Sequence, residues 1–211
     1  VDTLHIINGE KQTTMQQFEL TIENNSNEMT NAHTMSIRSD YLTADLDGLF
    51  LYNTLPTTVL QLLHAHIPSI IEQPVCTSTN NQVEMQAKIR NFAPILQVLE
   101  LGIDLPDAFD IKGHIYEDKQ ELELQTCIPY IRTNGTNMEN IKIALDNHNE
   151  QLELSLSVLN HLPKDNPTAA KLGDIKAGIK LSAKNDALDL LVNLENTDKV
   201  RNEGILHAAS Q

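Results

Sequence analysis

The sequence predicts a mostly β protein, built as a long antiparallel meander of strands with two short helices inserted. Three observations support this fold class. Apolar and polar residues alternate over most of the chain, a pattern typical of strands with one buried face. Short polar turns separate the alternating runs, and links of this length favour antiparallel neighbours. Helical spacing replaces the alternation at only two places.

The strand pattern is clearest at 152–158, where every second residue is Leu or Val and the residues between them are Glu or Ser. Earlier strands are predicted at 18–22 and 35–37, and both chain ends read as strands, so we expect an internal fragment of a longer chain. A single β-rich segment over 1–211 is predicted, with a loop break near 160–168. The residues predicted to share the apolar side are Leu42, Ala44, Leu46, Val83, Met85, Ile89, Leu122, Leu124, Ile141, Ile143, Leu152, Leu154, Leu156, Val158, Ile179, Leu181, Leu188, Leu190 and Val192.

Two segments, 54–67 and 92–101, are predicted to be short helices. In the first, apolar residues recur at helical spacing after a capping residue, Thr54, and an early proline. In the second, Asn91 is the predicted cap and Gly102 the predicted stop. Both helices are strongly apolar, so we expect them to pack against the apolar face of the sheet.

The composition excludes several classes of partner. Lys and Arg total 15 against 29 Asp and Glu, which gives a net charge of −14. An acidic chain repels phosphate backbones, so nucleic acid is not an expected partner, and charge-driven docking onto anionic lipid is not expected either. Aromatic residues make up only 4% of the chain, so its apolar surface is aliphatic.

No residue pattern indicates catalysis, a cofactor or a metal. His64 and His66 lie two apart, and residues at that spacing point to different sides of a helix. The run 45–48 has two aspartates and a glycine but lacks the later ligands of a calcium loop. We therefore expect a protein that is not an enzyme. Cys76 and Cys127 show no metal spacing, and free thiols or a disulfide both remain open.

Three stretches of the sequence resemble the mid-region of bacterial TamB proteins, the AsmA-like family of the translocation and assembly module. The residues that carry the likeness are Ala44-Asp45-Leu46-Asp47-Gly48 followed by Asn53-Thr54-Leu55-Pro56, then Phe92-Ala93-Pro94-Ile95-Leu96 with Gly102-Ile103-Asp104-Leu105-Pro106 and Phe109-Asp110-Ile111-Lys112-Gly113, and finally Val200-Arg201-Asn202-Glu203-Gly204. The likeness runs from about residue 41 to the end.

This resemblance implies a sheet curled into a β-taco with an apolar groove, in a protein anchored in the inner membrane and reaching across the periplasm. It implies phospholipid transport toward the outer membrane and a part in outer-membrane assembly. Phospholipid acyl chains are the implied partner, and an outer-membrane assembly barrel could be reached through the rest of the parent chain. The apolar residues of the strands correspond to the groove, and no catalytic residue carries over.

Two functional hypotheses follow from the sequence. In the first, the apolar face shields or conducts acyl chains. In the second, the chain is a structural or adhesive β-domain of a secreted or surface protein, and the same face is a closed core. We also expect the isolated fragment to self-associate, because a segment of a longer sheet leaves edge strands that pair readily.

Overall fold

The computed structural model describes residues 3–24, 32–75, 80–133, 136–147, 151–161, 173–197 and 202–210. Within these ranges the chain is mostly β, with two short α-helices and one 3₁₀ turn at Glu117–Lys119. The strands are β1 (Thr3–Asn8), β2 (Lys11–Gln16), β3 (Glu19–Asn24), β4 (Ala32–Arg38), β5 (Leu42–Leu49), β6 (Gln82–Arg90), β7 (Ala108–Tyr116), β8 (Glu121–Thr133), β9 (Thr136–Asp146), β10 (Leu152–His161), β11 (Ile175–Lys184), β12 (Ala187–Asn196) and β13 (Glu203–Ser210). The helices are α1 (Leu55–His64) and α2 (Ala93–Val98).

Eleven strands form one antiparallel sheet in which every neighbour in space is also the neighbour in sequence, from β3 to β13. β1 and β2 form a separate hairpin. The predicted meander is therefore confirmed. β3 and β13 are its edge strands, and in the described part of the chain each pairs on one side only.

The predicted turn at 184–186 is confirmed between β11 and β12. Asn185 and Asp186 both have positive φ, 50° and 67°, as the two central residues of a type I′ hairpin turn require. The turn residues predicted at 25–27, 134–135 and 148–149 lie outside the described residues, as does Cys76. Of the loop predicted near 160–168, residues 160 and 161 belong to β10, and the rest lies outside the described ranges.

The first helix begins as predicted but is not capped as predicted. Thr54 occupies the N-cap position, yet its hydroxyl donates a hydrogen bond to the Leu51 carbonyl at 3.1 Å rather than capping the helix. Pro56 lies in the first turn, where its missing N–H costs no hydrogen bond.

The second helix is shorter than predicted, and both of its predicted boundaries are wrong. Its N-cap is Phe92 rather than Asn91, whose N–H donates to the Asp107 carbonyl at 2.7 Å. The helix ends before Glu100, whose φ of 57° ends the helical turn two residues ahead of Gly102. No helix among the described residues is long and apolar enough to span a membrane.

α1 packs on the sheet at one end of the strands, which we call the α1 end. This is the end where β5 finishes and β6 begins. Phe50, Leu62, Val83, Ile115 and Leu122 form the buried cluster there, each at most 4% exposed. The partly buried residues packed around it are Leu46, Leu55, Val59, Leu63, Met85 and Leu145. The expectation that this helix covers the apolar face is confirmed.

α2 packs elsewhere, so the same expectation is wrong for the second helix. Its Ile95 joins Met15 and Tyr41 in a second buried cluster, at the opposite end of β5. Asn8 of the β1–β2 hairpin contacts α2 directly, since its Nδ2 donates a hydrogen bond to the Val98 carbonyl at 2.9 Å. The helix is strongly apolar because it completes the core of this hairpin, not because it fills the sheet.

Candidate functional site: the apolar face of the sheet

The strand register aligns the apolar residues of the whole sheet into continuous rows. The central row crosses all eleven strands through directly paired residues. Its members are Ile22, Met35, Leu46, Met85, Gly113, Leu124, Leu145, Leu154, Leu181, Leu190 and Ala208. No charged or polar side chain interrupts it, so this face offers an unbroken aliphatic strip from one edge strand to the other.

The residues predicted to share one side do so, because side chains alternate between faces with period two and the pairings keep these residues in phase up to the bulge between Ser157 and Leu159. A second row runs beside the central one and contains Leu20, Ile37, Ala44, Ala87, Ile111, Thr126, Ile143, Leu156, Ile179, Val192 and Leu206. We call the two rows, with the flanking apolar residues on the same side, the apolar face.

The opposite side of the sheet is polar and strongly acidic at the α1 end. One row on that side runs through Glu23, Thr34, Asp47, Glu84, His114, Glu123, Asp146, Glu153, Ser182 and Asp189. Neighbouring carboxylates such as those of Asp47 and Glu84 repel each other across the strands. This side is therefore the solvated one, and it repels anionic groups.

α1 covers the middle of the apolar face, and apolar side chains stay exposed on both sides of it, since Leu20 and Ile22 of β3 are 50% and 52% exposed. We call the strands β5–β9 the covered half, because α1 buries their α1 end: Val83 is 1% exposed and Leu122 is 4% exposed. Four residues predicted to line a groove, Leu46, Val83, Met85 and Leu122, pack in this helix-covered core. For these four the helix side chains take the place that a ligand would occupy.

The strands β10–β13 form the open half, where large apolar side chains remain uncovered. Leu154 is 38% exposed, Leu194 is 45% exposed and Leu206 is 59% exposed. Leu152 and Ala183 are buried at the α1 end of these strands. There the segment after α1 reaches the β11–β12 turn, since the Asp186 N–H donates to the His66 carbonyl and the Ser69 N–H donates to Asp186 Oδ1, both at 3.0 Å.

A buried polar network anchors the first turn of α1 to the ends of the strands. Asn81 is fully buried and its Nδ2 donates to Thr58 Oγ1 at 2.8 Å and to Thr54 Oγ1 at 3.1 Å. The Asn81 N–H donates to Glu117 Oε2 at 2.8 Å, and Asn81 Oδ1 accepts from the Leu51 N–H at 2.9 Å. Buried polar groups that all have partners hold a single arrangement, because any displacement would leave some unpaired.

The 45–48 run is a strand and not an ion-binding loop. Arg38 forms an ion pair with Asp45, and Thr34 Oγ1 donates to Asp47 Oδ1 at 3.1 Å. Gly48 has a φ of 147°, and a Cβ placed there would lie 2.0 Å from the Gln82 carbonyl oxygen. The glycine is explained by the close approach of β5 to β6.

His64 and His66 make different contacts. The Nδ1 of His64 hydrogen-bonds with the Ile71 carbonyl, and His66 is buried beside the β11–β12 turn. Over the described ranges, no group of three or more His, Cys, Asp or Glu side chains is arranged to hold a metal ion. Cys127 is an exposed free thiol on the polar side of β8.

No sequence pattern predicted the charged cluster at the far end of β10. His161 Nδ1 lies 2.8 Å from Asp174 Oδ2, and its Nε2 lies 3.2 Å from Glu139 Oε2. Desolvation alone would lower the pKa of His161, but the two carboxylates outweigh it and the pKa is raised above its ordinary value. The ring of His161, when protonated, therefore links β9, β10 and the residue just before β11.

A cleft of about 930 Å³ lies between α2, the hairpin and the end of β8. Its two cations are already neutralised, Lys11 by Glu100 at 2.8 Å and Arg132 by Asp104 at 3.5 Å. The hydrogen bond and charge of Lys11 lower the pKa of Glu100. Because each charge has a partner, the cleft offers no free charge to a ligand.

Several members of the apolar face were not among the residues predicted to share it, although Met35 lies in the strand predicted at 35–37. β7 contributes Ile111 and Ile115, and its alternation is weakened by Gly113 at an apolar position. Met35 and Leu206 complete the rows toward the two edge strands. Alternation could have found Ile111, Met35 and Leu206, because each lies two residues from another apolar residue of the same strand, whereas Gly113 interrupts the pattern before Ile115.

Comparison with known proteins gives no relative: no family model, no curated protein and no solved structure matches this chain.

Proposed function

We propose that this chain is a non-enzymatic segment of a periplasm-spanning envelope protein, anchored in the inner membrane, whose apolar face shields or conducts phospholipid acyl chains. In this proposal the sheet curls into a β-taco-like trough, and the chain serves phospholipid transport and outer-membrane assembly. The observation that carries it is the aliphatic strip that crosses eleven paired strands and stays uncovered over β10–β13.

The chemistry of the open half suits an acyl chain. Its exposed large side chains are leucines and its half-buried ones include Ile and Val, and such side chains bind a flexible hydrocarbon by apolar burial at about 25 cal/mol per Å² without directional contacts. Leu154, Leu194 and Leu206 are large apolar residues that a closed core would bury. A monomeric soluble protein rarely exposes an extended apolar patch, and such patches commonly mark interaction surfaces.

Charge supports the same class of ligand. The chain has a net charge of −14, and the polar side of the sheet carries the acidic row. An anionic head group would be repelled from that side, whereas a hydrocarbon tail on the apolar face requires no charge recognition. The proposal therefore places the tail on the face and the head group away from the sheet.

The alternative, a structural or adhesive domain with a closed core, is favoured by one observation. α1 fills the space over the covered half, where Phe50 and Val83 are 1% exposed. The two hypotheses thus differ in what covers β10–β13: an acyl chain in the first, and a protein surface in the second.

Paired substitutions on β10 test the proposal. Leu154 and Ser155 are adjacent, both exposed, and lie on opposite faces of the sheet. Leu154→Asp puts a charge where an acyl chain would lie, and burial of an unpaired charge costs several kcal/mol. Ser155→Asp, the matched control, adds the same charge to the polar face. We expect Leu154→Asp to lose binding of a fluorescent-acyl phospholipid and Ser155→Asp to retain it.

Thermal unfolding of both variants separates a loss of binding from a loss of fold. Leu154 is 38% exposed, so we expect both variants to remain folded. A folded Leu154→Asp variant that binds the lipid as the wild type does would refute the acyl-chain proposal. Lipid binding by neither the wild type nor the variants would leave the protein-partner alternative.

A further inference from the structure

The end of β10 that lies away from α1 carries a histidine between two carboxylates, His161 between Glu139 and Asp174. We propose that these three residues form a proton-operated clasp. The charged ring of His161 keeps the end of β10 against β9 and the start of β11, and loss of the proton lets this end open while the rest of the sheet stays paired. The clasp is independent of whatever binds the apolar face.

Both ring nitrogens of His161 face carboxylate oxygens. Nδ1 lies 2.8 Å from Asp174 Oδ2, and Nε2 lies 3.2 Å from Glu139 Oε2. A carboxylate oxygen only accepts hydrogen bonds, whereas a neutral imidazole carries a proton on one nitrogen and a lone pair on the other. The neutral ring therefore always points a lone pair at one of the two carboxylates, and only the imidazolium is attracted by both.

A bulge in β9 brings Glu139 into this cluster. Ser157 of β10 pairs with Lys142, and the next pair on the same side of the sheet joins Leu159 to Glu139. β9 therefore has one residue more than β10 between these two pairs, and Asn140 within the bulge has a φ of 54°. Without the extra residue Glu139 would point to the apolar face, because side chains alternate between faces. The bulge turns this carboxylate toward the imidazole ring and interrupts the backbone pairing of β9 with β10.

The charged and titratable groups of β8 next to the clasp have contacts of their own. Tyr130 is the direct partner of Glu139 on that strand, and its ring lies under the Arg132 guanidinium at 4.1 Å. Arg132 also forms an ion pair with Asp104 at 3.5 Å. The cation that contacts Glu139 is therefore the protonated ring of the histidine.

Asp174 is anchored on the side of β12. Its carbonyl accepts hydrogen bonds from the Thr197 N–H at 2.9 Å and from Thr197 Oγ1 at 3.3 Å. Lys176, the next residue of β11 on the same side of the sheet, lies directly opposite Glu195 of β12, and opposite charges at such positions attract. The start of β11 thus stays with β12 when the ring loses its proton, and the end of β10 is the part that opens.

Buried polar groups lower the free-energy cost of opening at this end. Within the described ranges, Asn137 Oδ1, Asn160 Oδ1 and His161 Nε2 are buried without a hydrogen-bond partner. The contact of Nε2 with Glu139 is thus an ion pair and not a hydrogen bond. A buried polar group without a partner is destabilising, and water can solvate it once the strand end opens. The charge of the ring opposes this opening.

The direction of the pH dependence follows from the histidine. The pKa of His161 is raised above its ordinary value, so the folded sheet binds this proton more tightly than the unfolded chain does. The clasp therefore contributes fully below about pH 6.5 and is lost as the pH rises through the raised pKa. Opening of one strand end is a local event, which amide hydrogen exchange detects separately from global unfolding.

Hydrogen exchange of the whole chain, read by mass spectrometry, tests the clasp. Protection factors corrected for the intrinsic exchange rate are compared at about pH 6 and about pH 9, on either side of the histidine titration. The peptides compared cover 156–161 of β10 and 188–194 of β12. We expect protection over 156–161 to fall about threefold or more as the pH rises, the factor that ion pairs of partly exposed groups contribute. Protection over 188–194 should stay constant.

Three variants assign the effect to the clasp. His161→Gln should show the low protection over 156–161 at both pH values, because its amide carries no charge. Glu139→Gln should reduce the fall without abolishing it, since Asp174 remains. Glu153→Gln is the matched control: Glu153 lies on the same strand and forms an ion pair with Lys180 at 3.0 Å, and its loss should leave the wild-type pH dependence unchanged.

The outcomes are distinct. A fall confined to 156–161 that His161→Gln abolishes supports the clasp. Protection over 156–161 that does not change with pH in the wild type overturns it, and so does a fall that persists in His161→Gln. An equal fall over 156–161 and 188–194 also overturns it, because the pH would then act on the whole sheet.

Discussion

Leu145 and Leu154 face each other directly across β9 and β10, yet one is packed beneath α1 and the other is 38% exposed. The pair is chemically identical and occupies the same row of the sheet. Leu145 packs against the buried cluster that contains Leu62 of α1, and Leu154 does not belong to that cluster. A sheet with one uniform apolar face thus becomes core beneath the helix and surface toward both edge strands, where Ile22 is 52% and Leu206 is 59% exposed.

The same pair predicts a contrast in stability. Leu145→Ala should lower the free energy of unfolding by about 2 kcal/mol or more, because it leaves a cavity beneath the helix. Leu154→Ala should cost less than about 1 kcal/mol, since water already reaches the side chain. Urea unfolding followed by circular dichroism measures both. Similar costs for the two variants would mean that Leu154 is also part of a closed core.

The two strand glycines Gly48 and Gly178 predict a second contrast. A methyl group at Gly48 would lie 2.0 Å from the Gln82 carbonyl oxygen, in a backbone conformation with a φ of 147°. At Gly178 the same methyl group meets nothing within 4 Å. Gly48→Ala should therefore destabilise the protein by more than about 2 kcal/mol.

Gly178→Ala is the matched control, and it should change stability by about 0.5 kcal/mol or less. Thermal unfolding of the two variants at one protein concentration gives the comparison. If Gly48→Ala were tolerated as well as Gly178→Ala, the close approach of β5 to β6 would not be what requires a glycine.

The alternation of apolar and polar residues predicted most of this fold correctly, and the helix-end signals predicted less of it. The strands and the shared side of Leu152, Leu154 and Leu156 follow from period-two spacing, and the antiparallel meander follows from the short turns between the strands. The predicted helix ends at Asn91 and Gly102 were wrong, because the backbone angles at a helix end also depend on the neighbouring residues. At α2 the helix already ends before Glu100, which has a positive φ, and Gly102, which also has a positive φ, comes two residues later.

What the sequence did not predict is which apolar residues become surface. Leu145 and Leu154 carry the same signal in the chain, and only the path of the α1 segment over the sheet distinguishes them. That path depends on contacts between residues far apart in sequence, such as Ser69 with Asp186 and Thr58 with Glu117. Such contacts leave no pattern within a short stretch of sequence.

The edge strand β13 predicts self-association of the isolated chain. Ile205 is 73% exposed and Leu206 is 59% exposed, on a strand whose outer side has no partner among the described residues. Ile205→Lys should weaken association, because a lysine on an edge strand opposes strand pairing. Ser155→Lys, far from this edge, should leave it unchanged. Sedimentation velocity over a concentration series measures both, and a wild-type chain that stays monomeric throughout would refute the prediction.

The charged cluster of His161 predicts how stability depends on pH. Its imidazole lies between Asp174 at 2.8 Å and Glu139 at 3.2 Å, and the pKa of His161 is raised above the 6.5 of an unperturbed histidine. The folded state therefore holds this proton more tightly than the unfolded state. The resulting stabilisation is fully present below about pH 6.5 and is lost as the pH rises through the raised pKa.

His161→Gln should remove this part of the pH dependence. The amide can still donate a hydrogen bond but does not titrate, so the variant should match the wild type more closely at pH 8.5 than at pH 5.5. His5→Gln is the control, because His5 is exposed and contacts only a threonine hydroxyl, Thr14 Oγ1, at 3.1 Å. The measurement is the free energy of unfolding in urea at half-unit steps from pH 5.5 to 8.5. A His161→Gln curve that runs parallel to the wild-type curve would show that the two carboxylates do not bind the proton more tightly in the folded sheet, and the link between β9, β10 and β11 would then be one of packing alone.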